Sequence, residues 1–138
     1  MHTKLTTLIF LGLLSLACPS AAHADVAVIV HPDNPLRAMT AREVSDLYLG
    51  RIRSLSAYDL PADHPLRETF LHALNGMSIK QFNAYWARLR FSGEMLPPAT
   101  LADSRTVVEA VSRNRDAIGY VDATAVSASV KVVLRLKE

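Results

Sequence analysis

Past position 18 the chain has no cysteine, because Cys18 is the only one it carries. Residues after it therefore cannot form a disulfide within the chain, a cysteine-ligated zinc site or a thiol nucleophile. Long apolar runs are also missing after Ala24, so no later segment reads as a membrane span. There is no G-x-S-x-G, no H-E-x-x-H, no Walker loop, no internal repeat and no low-complexity tract. Charge of one sign is not in excess either. That excludes the basic face expected of a nucleic-acid binder.

The N-terminus has what the rest lacks. Lys4 is a positive n-region, Leu5 to Ala17 a short apolar h-region, and Ala22-His23-Ala24 a small-x-small cleavage site. Residues 1–24 read as a secretory signal peptide cleaved after Ala24, which implies a periplasmic protein. Two alternatives stand beside this. One is an uncleaved anchor, for which the apolar run is short. The other is lipidation of Cys18, for which Ser15 stands where a lipobox wants Leu. Cleavage removes Lys4, so the 15 basic residues fall to 14 against 13 acidic. Residues 25–138 then form one domain, large enough for a packed core.

Local patterns give the elements. Val26 to Val30 is a β-branched run typical of a strand buried on both faces. The prolines of His31-Pro32-Asp33-Asn34-Pro35 end it. Thr40-Ala41-Arg42-Glu43 is a capping box for a helix with Val44, Leu47 and Tyr48 on one face and Gly50 just past its end. Leu55 to Leu60 is a short strand. Pro65 suits the first turn of a helix carrying Phe70, Leu71, Leu74 and Met77, closed by Asn75-Gly76. Ser78 caps a helix with Phe82, Tyr85, Trp86 and Leu89 at helical spacing, where Trp86 reads as core. Phe91 to Pro98 is a loop. Ser104 is expected to cap a helix with Val107, Val108 and Val111 inward. Ala117 to Val121 is a strand with Gly119 at its centre, a mark of close backbone approach. Val130 to Leu136 is the last strand. About four strands alternating with about four helices predict an α/β domain, a mixed or mostly parallel sheet flanked by helices.

Three ordered segments resemble the phosphate-type substrate-binding proteins of ABC transporters. Leu47-Tyr48-Leu49-Gly50-Arg51-Ile52, following the Val26–Val30 strand, is similar to that family's "I-F/Y-x-G-K-I-T-x-W". Arg67-Glu68-Thr69-Phe70 is similar to the end of "G-S-G-T-R-E-x-F". Asp116 to Val121 is similar to "P-G-A-I-G-Y-V". The resemblance implies one lobe of a periplasmic-binding-protein-like fold, the second of the two that close on an anion in full-length members. It implies a phosphate-like oxyanion as ligand. It also implies an ABC transporter as partner, or a second lobe or second copy to complete the site.

This chain departs from the family at Leu55, where the family has Trp, and at Asp63-His64-Pro65-Leu66, where it has Gly-Ser-Gly-Thr. Both hydroxyls are lost and Pro65 removes an N–H donor from a helix N-terminus that would hold the anion. Asp63 is a candidate self-cap that would compete with phosphate. The candidate oxyanion ligands are His31, Asn34, His64, Arg67 and Thr69, expected to converge on one cleft. Arg67 has the fork for bidentate contact, or is a solvated helix arginine. A protonated His64 could donate to the anion, strengthening binding as pH falls.

The remaining chemistry-bearing residues read more plainly. His64 and His72 are too far apart to chelate one ion, and a shared His31–His64 site would need tertiary contact, so no metal and no cofactor is expected. Asp59 and Asp63 read as loop acids, and the arginine pairs 51/53, 88/90 and 113/115 as solvated. No catalytic residues are assigned. Two functions follow: a periplasmic solute-binding module for phosphate or a similar oxyanion, or a degenerate lobe that serves as an envelope interaction module. The second predicts a self-capped cleft and an exposed apolar patch.

Overall fold

The computed structural model describes residues 25–137. The expected signal peptide and its cleavage site lie outside them. The elements run β1 (Val26–Val30), α1 (Ala41–Tyr48), β2 (Ser56–Asp59), α2 (Pro65–Asn75), α3 (Ile79–Phe91), β3 (Ala99–Thr100), α4 (Ser104–Ser112), β4 (Ala117–Asp122), a 3-10 turn (Ala123–Ala125) and β5 (Lys131–Leu136). The strands form one mixed sheet in the order β3-β2-β4-β1-β5. β2 is parallel to β3 and β4, while β1 is antiparallel to β4 and β5. The sheet is therefore mixed rather than mostly parallel. The two-residue strand β3, in a stretch with no strand pattern, was beyond the reach of periodicity.

Every residue of β1 is buried, as its apolar, β-branched composition requires of a strand covered on both faces. The covering helices are on opposite sides. Phe70 of α2 stacks on Tyr120 of β4 with ring centroids 3.7 Å apart and planes 8° apart. Val107 and Val111 of α4 close over Gly119, the next residue back along the strand. Adjacent strand residues point to opposite faces, so α2 and α4 lie on opposite faces of the sheet. A methyl on Gly119 would fall 2.5 Å from Val107 Cγ1. Only the missing side chain lets the helix approach so closely. Tyr48 of α1 completes an aromatic cluster, edge-on to Phe70 at 4.9 Å and to Tyr120 at 5.8 Å.

The caps follow the sequence at three helices. Thr40 and Glu43 form the capping box of α1, Ser78 and Gln81 that of α3, and Pro65 is in the first turn of α2. Gly50 and Gly76 take the left-handed conformation that ends a helix, at φ of 72° and 71°. Two caps differ from expectation. Asp103, not Ser104, caps α4; its carboxylate accepts from the Thr106 amide and hydroxyl, both at 2.8 Å. Ser104 instead accepts from the Asp122 amide at 3.1 Å, tying α4 to the end of β4. At α2 the cap is His64, not Asp63: Nδ1 accepts from the Leu66 amide at 3.2 Å, while Asp63 is exposed. An imidazole acceptor can replace a hydroxyl cap because it too offers a lone pair to a free N–H of the first turn.

Candidate functional site

The topology separates the residues expected to converge. β2 and β4 are parallel, and α2 follows the C-terminal end of β2, so His64 and Arg67 lie toward the C-terminal end of β4. β1 is antiparallel to β4, with Val30 opposite Ile118, so His31 and Asn34 emerge at the N-terminal end of β4. The length of a strand, ~15 Å, lies between the two groups. His31 and Asn34 have local work. His31 Nδ1 accepts from the Asp33 amide at 3.0 Å. Buried Asn34 accepts from the Leu36 amide and donates to the Arg115 carbonyl, both at 3.0 Å. Its amide is the staple that holds the proline loop to the start of β4. The same separation rules out a shared His31–His64 site.

Within α2 the candidates separate again. Thr69 back-bonds to the Pro65 carbonyl at 3.4 Å. It is two positions from Arg67, so it faces roughly the other side of the helix. His64 spends Nδ1 on the cap and keeps only Nε2 for donation.

Arg67 is the residue that the structure lifts out. It is 6 % exposed, not a solvated helix arginine. It sits in the first turn of α2, where the helix dipole disfavours a cation, and an acidic partner offsets this. Nε lies 3.2 Å from both carboxylate oxygens of Asp59. Nη2 donates to Asn83 Oδ1 at 3.0 Å, and the guanidinium lies 5.2 Å from the centre of the Phe82 ring. Nη1 is buried and has no hydrogen-bond partner among the described residues. An unmet donor of this kind costs ~1–3 kcal/mol unless something fills the gap.

Asp59 is not the loop acid that the sequence suggested. It is buried at the end of β2. Its Oδ1 accepts from the Leu60 amide at 2.8 Å and from the Tyr120 hydroxyl at 2.5 Å. Burial, then the neighbouring Asp59 carboxylate, holds the Tyr120 phenol well above its ordinary range. The same two causes, in the same order, raise that of Tyr48. Tyr48 donates to the Tyr58 carbonyl at 2.7 Å. Both phenols are thus fixed as donors.

Beside this pair is a cavity of about 360 Å³, lined by Asp59, Leu60, Arg67, Thr100 and Pro97-Pro98, and by Phe82, Asn83, Trp86, Ala87 and Arg90 of α3. Positions 83, 86, 87 and 90 are one helix face. Arg90 is therefore a cavity residue, although its pair spacing with Arg88 suggested only solvated charge. Of the five candidate ligands, Arg67 alone lines the cavity. Asp59, Asn83, Arg90 and Thr100 were missed, since they come from separate elements with no motif linking them. Net charge on the lining is positive, with Arg67 and Arg90 against Asp59. A second, more open space of about 700 Å³ adjoins it, lined by Leu55, Tyr58, Trp86, Met95 and Leu96 among others. Trp86 is core as expected, with its indole N–H on the Tyr48 carbonyl at 3.2 Å, yet one edge reaches both spaces.

No family model matches the chain, and no curated relative matches its sequence. Solved structures do resemble it. One, from Clostridium perfringens, is described as a phosphate ABC transporter substrate-binding protein with bound phosphate; the TM-score is 0.64 at 20% identity, over 80% of this chain and 45% of that one. An ABC-type phosphate transport receptor from Vibrio cholerae gives 0.61 at 17% identity, over 80% and 46%. PstS from Borrelia burgdorferi gives 0.59 at 11% identity, over 80% and 47%. The chain spans less than half the length of these proteins. At such identities the likeness establishes the fold, that of a substrate-binding-protein-like lobe, and not the ligand.

Proposed function

We propose that this protein is an exported solute-binding lobe that holds phosphate or a similar oxyanion and acts with an ABC transporter, as a binding protein and not an enzyme. The observation that carries the reading is Arg67, a buried guanidinium on the wall of a cavity that Arg90 makes net positive. An oxyanion in the cavity would form charge-assisted hydrogen bonds with these two arginines. Asp59 fixes the guanidinium through Nε and leaves Nη1 free, so the pair orients the fork without using all of it. The fold neighbours, which their descriptions tie to phosphate transport, support the same class of ligand.

The test is thermal stability of the purified protein with millimolar phosphate, with sulfate as control, in the wild type and in Arg90→Gln. Arg90 is exposed, so that variant keeps the fold. Ligand at about 100 times its Kd adds ~2.7 kcal/mol. A selective phosphate shift that weakens in Arg90→Gln is expected. No shift with either anion would refute the reading.

One feature of the surface favours a second reading, an interaction module in the cell envelope. Phe91 and Leu96 are 93% and 78% exposed, flanking the end of α3. Large apolar side chains left this open fit a protein contact. Loss of monodispersity in the wild type, cured by Phe91→Ser, would support it.

A further inference from the structure

Three chain segments meet at one corner of the molecule. The Tyr85 hydroxyl donates to the Leu49 carbonyl at 2.7 Å and the Trp86 indole to the Tyr48 carbonyl at 3.2 Å, so the second half of α3 lies against the end of α1. The loop after α3 folds back onto both, with the end of the Met95 side chain in the space that a Cβ on Gly50 would fill. Each segment leaves one large apolar side chain open at this corner. Ile52, Phe91 and Leu96 are 39%, 93% and 78% exposed, and among the described residues no other large hydrophobic side chain is exposed. Residues 46–53 and 88–96 also carry Arg51, Arg53, Arg88 and Arg90 against Asp46 and Glu94. All four arginines are exposed. Arg51 reaches Asp46 at 3.4 Å, while Arg53, Arg88 and Arg90 have no ion-pair partner among the described residues. An arginine near a helix C-terminus offsets the helix dipole, which accounts for Arg88 and Arg90. It does not account for a bare phenylalanine beside them.

We propose that this corner docks the protein on an anionic lipid surface, with Phe91 and Leu96 entering the headgroup layer and the arginines meeting lipid phosphates. Lipid takes up the apolar surface that folding leaves in water. A guanidinium fork matches phosphate oxygens in pairs, and its stem can lie along apolar matter while the head stays at the polar layer. The excess of four arginines over two acids gives the corner the charge that an anionic leaflet attracts. A protein partner fits less well. Ser92, Gly93 and Glu94 stand between Phe91 and Leu96, whereas a stable interface buries ~800 Å² per partner around a continuous apolar centre. A lipid layer adapts to separate side chains and needs no matching surface. The inference does not depend on the oxyanion reading. It gives the apolar surface of the second reading a lipid partner in place of a protein one.

The experiment is co-sedimentation of the purified protein with vesicles of phosphatidylglycerol, and with vesicles of phosphatidylcholine as the uncharged control. Binding to phosphatidylglycerol is expected at low salt, with none measurable to phosphatidylcholine. Raising salt to about 0.5 M should weaken it, since exposed charges are screened. Phe91→Ser should lower the affinity about tenfold or more, the loss of one buried aromatic ring. Arg53→Gln and Arg88→Gln should each lower it about fivefold. All three positions are exposed, so the variants keep the fold. Phe91 and Arg88 line neither cavity, so Phe91→Ser and Arg88→Gln should leave any thermal shift with phosphate unchanged. Absence of binding to phosphatidylglycerol would overturn the inference while a phosphate shift kept the oxyanion reading. Equal binding to both lipids would overturn it, because the arginines would then contribute nothing. Binding that survives Phe91→Ser would do the same by placing the contact elsewhere on the chain. Self-association of the wild type, cured by Phe91→Ser and accompanied by no vesicle binding, would give the corner to a protein contact instead.

Discussion

Arg67 Nε is equidistant from the two carboxylate oxygens of Asp59, at 3.2 Å from each, and both side chains are buried. Removing one partner of such a pair strands the other charge away from water. Asp59→Ala should therefore destabilise the protein by about 3–5 kcal/mol. Asp59→Ala combined with Arg67→Met should cost clearly less than Asp59→Ala alone, since no charge is then stranded. Urea denaturation of the three variants checks this. A loss below about 1 kcal/mol in Asp59→Ala would mean that the guanidinium finds another partner or water on its own.

The phenols respond to alkali. Tyr48 and Tyr120 have folded-state values raised above the ordinary 10.0, by burial first and by Asp59 second. Above pH 10 the unfolded chain loses these two protons and the folded chain keeps them. Stability is therefore full below pH 10 and falls as pH rises beyond it. Ultraviolet titration should show these two tyrosines ionising only with loss of near-ultraviolet circular dichroism. Tyr120→Phe should flatten the alkaline fall. A reversible ionisation of both inside an intact fold would contradict the account.

Gly119 is a packing position. A Cβ there meets Val107 Cγ1 at 2.5 Å, with Val111 Cγ2 at 3.4 Å behind it. Gly119→Ala should cost about 1–3 kcal/mol through overpacking between α4 and β4. Adding Val107→Ala should recover part of that loss, and a double-mutant cycle measures the coupling. Additive effects would show that the helix simply shifts.

Acid acts at the other end of α4. The Thr106 amide, then the Thr106 hydroxyl, hold the Asp103 carboxyl below its ordinary 3.8. A lowered folded-state value contributes stability above 3.8 that is lost as pH falls through the folded value. The stability difference between wild type and Asp103→Asn should shrink as pH drops below about 4, because asparagine caps without titrating. A difference that stays constant from pH 6 to pH 2.5 would show that the charge contributes nothing at this cap.

Much of the fold was legible because it rests on local rules. The Thr40–Glu43 box, the Ser78 cap, Pro65 in a first turn and the glycines after α1 and α2 act over three or four residues. The β-branched run of β1 and the glycine in β4 announce burial and close approach by composition alone. The cap of α2 was misread, since Asp63 and His64 both offer an acceptor and only the path of the loop decides which reaches the Leu66 amide.

The site was far less legible. Arg67 was named, but its burial and its partner were not. Asp59 is eight positions earlier on a strand, Tyr120 is on a strand across the sheet, and Asn83 and Arg90 are on the next helix. No periodicity connects residues that meet only when β2, β4, α2 and α3 are assembled. The reverse error has the same origin. His31 and Asn34 follow one strand and His64 and Arg67 another, and both groups looked like loop residues at strand ends. The antiparallel pairing of β1 with β4 places those ends on opposite sides of the sheet. Sequence thus determined which segments are helix or strand and which faces they bury, because these depend on neighbours a few residues away. Tertiary structure alone decided which charges meet, because strand direction and order are set by the packing of the whole sheet.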